Sequence, residues 1–395
     1  MVLFRQSSTT SVRRDAWVEV DLGALEHNVR VIRSWLPETT ELMAVVKCDG
    51  YGHGAAGIAP VVLASGARWL GVASVDEGLD LRQSGIRAPI LILSPCPFWA
   101  TSTAVQADLD FTITSPGQVH DLINVSAQVG KPARVHVKVD TGMHRLGIDR
   151  SAAADLCATI AGERGLEFVG VYSHLAKPDN PETTAGQNSS FQQVRQSLAD
   201  RRLSPKLLHL ASGEAARRFP DTHYDMVRVG LYTYGLEPQK VSDVVTAALS
   251  VRARINHIRE IEAGQAVGYD LTWEPSRRSR IASIPIGYGD GVDRRLSNRM
   301  TGLLLGTDVR QVGRISMDQM LFDITDAPQA QEGDVITLIG RDSGFAGGGP
   351  AKAIDLAAWA GILDTITYEL ACRLRVRLPR IYTRQQPTSV KSEGG

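Results

Sequence analysis

The stretch Ala44-Val45-Val46-Lys47-Cys48-Asp49-Gly50-Tyr51-Gly52-His53-Gly54 carries the most chemically pointed pattern in the chain. The apolar run Leu42 to Val46 reads as a buried strand, and a single lysine, Lys47, stands where it meets a glycine-rich loop. Burying an unpaired ammonium is costly. A lysine delivered in this way often has a lowered pKa and works as a base or forms a Schiff base. The plain alternative is a strand-end lysine that reaches solvent.

Other apolar runs end in polar residues of matching interest. One is followed by Asp140-Thr141-Gly142-Met143-His144-Arg145, another by Ser173-His174, a third by His209-Leu210-Ala211-Ser212-Gly213, and a fourth carries Arg228 and then Gly230. Taken singly, His174 reads as a structural histidine, Arg145 as a salt-bridge former and Ser212-Gly213 as a strand-to-helix turn. Convergence on one rim makes them a constellation. Ser212-Gly213 opens a helix, and a glycine after the last strand exposes backbone N–H groups; both features cradle phosphate. A Schiff-base lysine beside a phosphate site is what pyridoxal 5′-phosphate requires. A sugar-phosphate aldolase would use similar parts.

The elements that position these residues alternate. Strand candidates are 42–47, 69–73, 89–93, 110–114, 134–140, 167–174, 206–210 and 225–229, with amphipathic helical patterns between them, such as 75–83, 117–129, 152–162 and 189–202. Eight apolar strands separated by helices predict an α/β fold, a (β/α)8 TIM barrel, whose active site sits at the C-terminal strand ends. A doubly wound sheet is the runner-up, but no GxGxxG follows the first strand. Before the alternation, Trp17–Val20 reads as a short strand and Asp21 as an N-cap. The barrel domain is placed at 17–244. From 245 to 383 a mostly-β domain is expected, with strands at 247–261, 280–286, 302–305, 311–316, 320–324, 334–339 and 373–382. One helix at 351–360 follows the turn signal Gly347-Gly348-Gly349-Pro350. Residues 1–14 and 384–395 read as polar tails.

Composition narrows the function classes. The chain has 395 residues, 43% hydrophobic and 22% charged, with net charge +0. Such a balance gives no reason to expect a nucleic-acid or membrane-surface partner. Cys48, Cys96, Cys157 and Cys372 are widely spaced, so neither a disulfide framework nor a metal site is indicated. No secretory leader and no membrane span is read, and a cytoplasmic location is expected.

The stretch 44–54, with Trp17–Leu22, Lys138–Gly147, Tyr172–Leu175, Phe219–Leu236, Ala266–Tyr269, Pro285–Gly291, Val312–Asp318 and Thr367–Arg373, resembles the bacterial alanine racemases, pyridoxal enzymes of fold type III. The likeness runs over nearly the whole chain. It implies that Lys47 binds the cofactor covalently and is one of two acid–base groups, the one that takes the proton from the D-amino acid. Tyr51 and Tyr368 would hold the cofactor phosphate, helped by Ser212 or Gly213 and by the backbone N–H of Gly230 and Leu231. Arg228 would face the pyridine nitrogen and, being unable to give up a proton readily, keep it unprotonated; His174 would bond to Arg228 or stack beside it. Tyr269 would be the second base, supplied by the other subunit of a homodimer with shared sites. Arg145, the backbone of Met317, and Asp318 would serve substrate binding, Tyr288 would narrow the entrance, and Lys138 matches a lysine that carries a carbamate in many members. The product would be D-alanine, a peptidoglycan precursor.

Some residues depart from the pattern. Cys48 and Gly50 stand where alanines are usual. Ser212-Gly213 replaces an Asn-Ser pair, so the phosphate-binding hydroxyl is displaced or lost. Ser316 stands where cysteine is common, and Tyr232 and Thr233 are unusual. Three function classes compete: a racemase, most simply for alanine; a related fold-type-III enzyme such as a serine or broader racemase, a decarboxylase or an aldolase; and a non-catalytic cofactor-binding barrel. Arg228 opposes a decarboxylase, and Tyr269 with Met317 opposes a bare barrel.

Overall fold

The computed structural model describes residues 14–236, 244–342, 352–374 and 377–384. Of the tails expected at 1–14 and 384–395, residues 1–13 and 385–395 lie outside them, as does the turn signal at 347–350. The chain packs as two units. One holds Glu26–Gly50 and Ile58–Thr233; the other holds the described residues up to Leu25, Tyr51–Gly57, and those from Tyr234 on.

The first unit is the expected barrel. Its parallel strands are Glu41–Val45, Trp69–Val72, Ile90–Ile92, Leu109–Ile113, Ala133–Asp140, Leu166–Tyr172, Leu207–His209 and Met226–Val229. The first seven pair in chain order, and the eighth returns to the first with Met226 opposite Glu41 and Val229 opposite Ala44. Valine, isoleucine and leucine dominate because such strands are covered on both faces. The seam between the seventh and eighth strands is the loosest. It is closed by a single bridge, Ser212 to Arg228, and by the bonds Asp225 N–H to Leu208 O at 3.0 Å and Arg228 N–H to Ala211 O at 3.1 Å. Met43, Trp69, Leu91, Val169, Tyr172, Leu207 and Met226 form one buried cluster among these strands.

The second unit is built on a largely antiparallel sheet. Ala16–Asp21, assigned by its sequence position to the barrel's span, belongs here: it runs antiparallel to Leu249–Arg254 and parallel to Arg380–Thr383. The run 247–261 is two strands, Leu249–Arg254 and His257–Ile261. Apolar alternation runs to Ile255 and is then broken by Asn256-His257, where Ile255 N–H bonds to Asp334 O and Asn256 N–H to Ser283 O, so the chain changes partners there. The expected helix at 351–360 is Leu356–Leu363, capped by Asp355, whose carboxylate accepts from Ala357 N–H at 3.0 Å. The strand expected from 373 onward begins only at Arg380, because Thr367–Arg373 is a second helix.

Candidate active site

The first barrel strand stops at Val45, and the chain then turns the wrong way. Cys48, Asp49, Gly50 and Tyr51 all have left-handed backbone angles, with φ of 56°, 54°, 63° and 51°. Each non-glycine residue there costs about 1–2 kcal/mol. Gly50, where the resemblance has alanine, meets that conformation without a steric penalty. A carboxylate the sequence reading did not single out holds the turn: Glu77 accepts from Cys48 N–H at 2.6 Å and from Ala73 N–H at 2.7 Å. Gly50 N–H closes on Val46 O at 2.7 Å. Lys47 stands at the start of the turn and is exposed, so the expectation of a buried ammonium there is corrected.

The buried amine on this rim is Lys138, on the strand Ala133–Asp140. Burial, and then the charges of Arg228, Arg145 and Lys47, push its pKa down to about 8, with Asp140 opposing them. Asp140 is occupied: one of its oxygens accepts from the backbone N–H of Gly142, Met143 and His144 at 2.9–3.1 Å. Arg145, at the far end of that turn, is exposed and has no carboxylate partner among the described residues.

Arg228 lies buried at the closing seam. Its Nη2 donates to Ser173 O at 2.6 Å, Leu210 O at 3.1 Å and His174 Nδ1 at 3.2 Å, and its Nη1 donates to His209 Nδ1 at 2.9 Å. Its guanidinium carbon lies 5.1 Å from the centre of the Tyr172 ring. Burial lowers its pKa to about 10, still a cation at neutral pH. His174 is driven down to about 3 by burial, then Arg228, Lys138, Arg145 and Lys47, so it is a neutral acceptor. Nη1 gives one of its two protons to His209; the other is available to a ligand acceptor.

Ser212 precedes the short helix Gly213–Arg218 and makes no side-chain bond to its amides, which leaves its hydroxyl for other use. Gly213 has a packing reason of its own. A Cβ there would lie 2.5 Å from Cδ2 of Tyr232. The two departures from the family pattern are thus one: the Tyr232 ring fills the space of the missing side chain, and its hydroxyl bonds to Glu214. Gly230 and Leu231 follow the eighth strand, where Thr233 N–H returns to Gly230 O.

The remaining predicted residues belong to the second unit. Tyr51 packs on Tyr234 with ring centres 4.9 Å apart, and the adjoining Gly52 O accepts from Arg380 Nη2 at 2.7 Å. Tyr368 is exposed on the helix Thr367–Arg373. Tyr269 begins a tight turn and is 70% exposed. Tyr288, Met317 and Asp318 sit on two loops zipped together, with Tyr288 N–H on Ser316 O at 3.0 Å and Gly289 N–H on Met317 O at 2.9 Å. Buried Asp290 ties this pair down: it accepts from Gly287 N–H at 3.0 Å and forms ion pairs with Arg377, whose Nε lies 3.2 Å away, and with Arg14. Arg377 Nη2 reaches Asp318 at 2.5 Å. No helix among the described residues is long and apolar enough to cross a membrane, and no cluster of metal-ligating side chains occurs among them.

Two family models match the chain: the alanine racemase N-terminal domain over residues 20–238 and the alanine racemase C-terminal domain over 248–382. An alanine racemase of a Nostoc species is 40% identical over 93% of this chain and 95% of its own length. One from a Synechocystis species is 41% identical over 94% and 99%. The solved alanine racemase of Clostridium difficile 630 aligns with a TM-score of 0.88 at 28% identity, covering 95% of this chain and 97% of that one. That of Bacillus anthracis with bound L-Ala-P aligns at 0.86 and 33% identity, with 95% and 97% covered.

Proposed function

The chain belongs to the alanine racemase family, and we propose that it is a pyridoxal 5′-phosphate-dependent isomerase that interconverts L- and D-alanine using two bases. The observation that carries this reading is the charge on the barrel rim. Arg228, Arg145 and Lys47 all push down the pKa of the buried Lys138 there, and the carboxylate opposing them, Asp140, is tied to backbone amides. Such a rim calls for anionic ligands. A phosphate and an amino-acid carboxylate meet that demand, and a carbamate on Lys138 would add a third anion.

The residues present fit the cofactor. Lys47 offers an exposed amine at the strand end for covalent attachment. Ser212, Gly213, Gly230 and Leu231 flank the barrel seam where phosphate is bound in this fold. Arg228 has a donor to spare for the pyridine nitrogen and stays charged, so it keeps that nitrogen an acceptor. Bound there, pyridoxal 5′-phosphate supplies an electron-withdrawing system that makes the proton on the substrate α-carbon acidic. Lys47 Nζ takes that proton from D-alanine and gives it in the reverse direction. The phenol oxygen of Tyr269 does the same for L-alanine from the other side. Its exposure on a turn supports delivery from a second copy of the chain, hence a homodimer with shared sites. Arg145 binds the substrate carboxylate, aided by the Met317 backbone and by Asp318 supplied from the second copy of the chain; Tyr51 and Tyr368 give hydroxyls to the phosphate; Tyr288 limits substrate size.

A racemisation assay of the purified protein across L-amino acids tests the reading. Alanine turnover that requires added or retained pyridoxal 5′-phosphate is expected. Turnover of serine or a bulkier amino acid without alanine would move the protein to the related-enzyme reading. Tyr269→Phe is expected to lose α-proton exchange from L-alanine selectively; normal racemisation by that variant would remove the two-base assignment.

A further inference from the structure

Arg228 is a buried guanidinium with no carboxylate among its four partners. Burying a cation without a counter-anion is strongly unfavourable. The anion lies further down the barrel. His209, which accepts from Arg228 on Nδ1, has its Nε2 at 3.1 Å from His136 Nδ1. His136 Nε2 is 3.3 Å from Asp110 Oδ2, and the other oxygen of Asp110 accepts from Arg134 Nε at 3.0 Å. His136, His209 and Asp110 are all buried.

The order of donors is forced. Arginine has no acceptor, so His209 Nδ1 must be unprotonated and its proton sits on Nε2. That proton is given to His136 Nδ1, so the proton of His136 sits on Nε2 and is given to the Asp110 carboxylate. The line therefore runs from cation to anion through two neutral imidazoles. Burial and Arg228 hold His209 well below its usual pKa, which keeps it neutral. The surroundings fix both rings: Tyr172 stacks on His209 at 4.6 Å and 5°, and Trp69 meets His136 edge-on at 5.5 Å. Gly170 leaves the room, since a Cβ there would lie 2.5 Å from His136 Nδ1.

We propose that Asp110 is the remote counter-anion of Arg228 and, through His136 and His209, the positioning residue that sets how Arg228 meets the cofactor. The link to the cofactor rests on the function proposed above; the relay itself does not.

The test takes the purified protein with its cofactor and reads the histidine side-chain nitrogens by ¹⁵N NMR, with His136→Gln and His209→Gln to assign signals. Both rings are expected to be neutral and protonated on Nε2. In Asp110→Asn the acceptor at the end of the line is neutral, so the Nε2 signal of His136 is expected to shift, while His209, whose tautomer Arg228 fixes, stays protonated on Nε2. Racemisation kcat is expected to fall about tenfold or more, the rate equivalent of weakening a charge-assisted hydrogen bond, with KM for alanine changing much less. Arg134→Gln, which leaves the relay whole, should change kcat less than about twofold by the same measure. Protonation of either wild-type ring on Nδ1 overturns the relay, also where Asp110→Asn fails to fold. An unchanged His136 Nε2 signal in a folded Asp110→Asn overturns it as well. Absence of pyridoxal 5′-phosphate binding would instead remove the proposed function and leave the tautomers to decide the relay.

Discussion

Gly213 and Tyr232 offer the sharpest test of packing beside the site. A Cβ added at 213 would meet Tyr232 Cδ2 at 2.5 Å, Cε2 at 3.0 Å and Val229 Cγ1 at 3.4 Å. Comfortable carbon contacts lie near 3.5–4.0 Å, roughly an ångström longer than the first of these. The ring has little freedom to move: Tyr232 is 1% exposed, its hydroxyl bonds to Glu214, and it stands edge-on to Trp35 at 5.5 Å. Gly213→Ser is therefore overpacking, at about 1–3 kcal/mol. For a domain of this size that corresponds to a Tm lower by roughly 2–4 °C per kcal/mol. Tyr232→Leu alone is also destabilising, by about 2–4 kcal/mol, through the lost ring and hydroxyl. In the Tyr232→Leu background, however, the serine has room, so the two costs are expected to fall short of their sum by about 1–3 kcal/mol. Thermal or urea unfolding of the wild type, both single variants and the double variant measures this coupling. Additive costs, or a Gly213→Ser variant as stable as the wild type, would refute the account of Gly213 as a response to Tyr232.

Two further outcomes follow from bonds and charges at the rim. Glu77→Ala removes the acceptor of two backbone amides and is expected to cost about 2–4 kcal/mol; hydrogen exchange should speed up at Cys48 and Ala73 before it does elsewhere in the barrel, and uniform exchange would sink the clamp assignment. Lys138 has a folded pKa near 8 against an ordinary 10.5. The unfolded chain thus holds its proton more tightly: the penalty of the charged amine is complete below pH 8, shrinks as pH rises from 8 to 10.5, and is gone above that. Lys138→Met should accordingly gain stability over the wild type at pH 7 and lose that advantage by pH 10, read as urea midpoints in CO2-free buffer; a gain independent of pH would contradict the cause given for the shift.

The fold was legible where one period ran without interruption. Eight apolar runs separated by helical patterns have few solutions other than a barrel, and each observed strand overlaps its expected run. Two misreadings share one physical cause, that an apolar strand pattern says a segment is half buried and not which strand it pairs with. Ala16–Asp21 precedes the barrel in sequence yet pairs with Leu249–Arg254, and 247–261 carries apolar residues on both sides of a change of partner at Asn256. Thr367–Arg373 hides its helix because its buried residues, Thr367, Leu370 and Ala371, are only a single turn's worth of signal.

The site divides along a different line. Rim residues were legible because reactive side chains stood at strand ends, where the fold places chemistry. The polar line beneath them was missed, although half of it is written in one strand. In Ala133–Asp140 the polar residues Arg134, His136, Lys138 and Asp140 alternate with Val135, Val137 and Val139. Period two puts all four on one face, and in a closed barrel a face is either against the helices or inside. Lys138 had been placed by resemblance at the site, so the same face had to carry His136 toward the barrel interior one layer lower. A histidine placed there requires partners, and they come from strands distant in sequence: Asp110 from the fourth, His209 from the seventh. Period identifies the face, while the partners depend on barrel closure. That is why the rim could be read from residue types and the support of Arg228 could not.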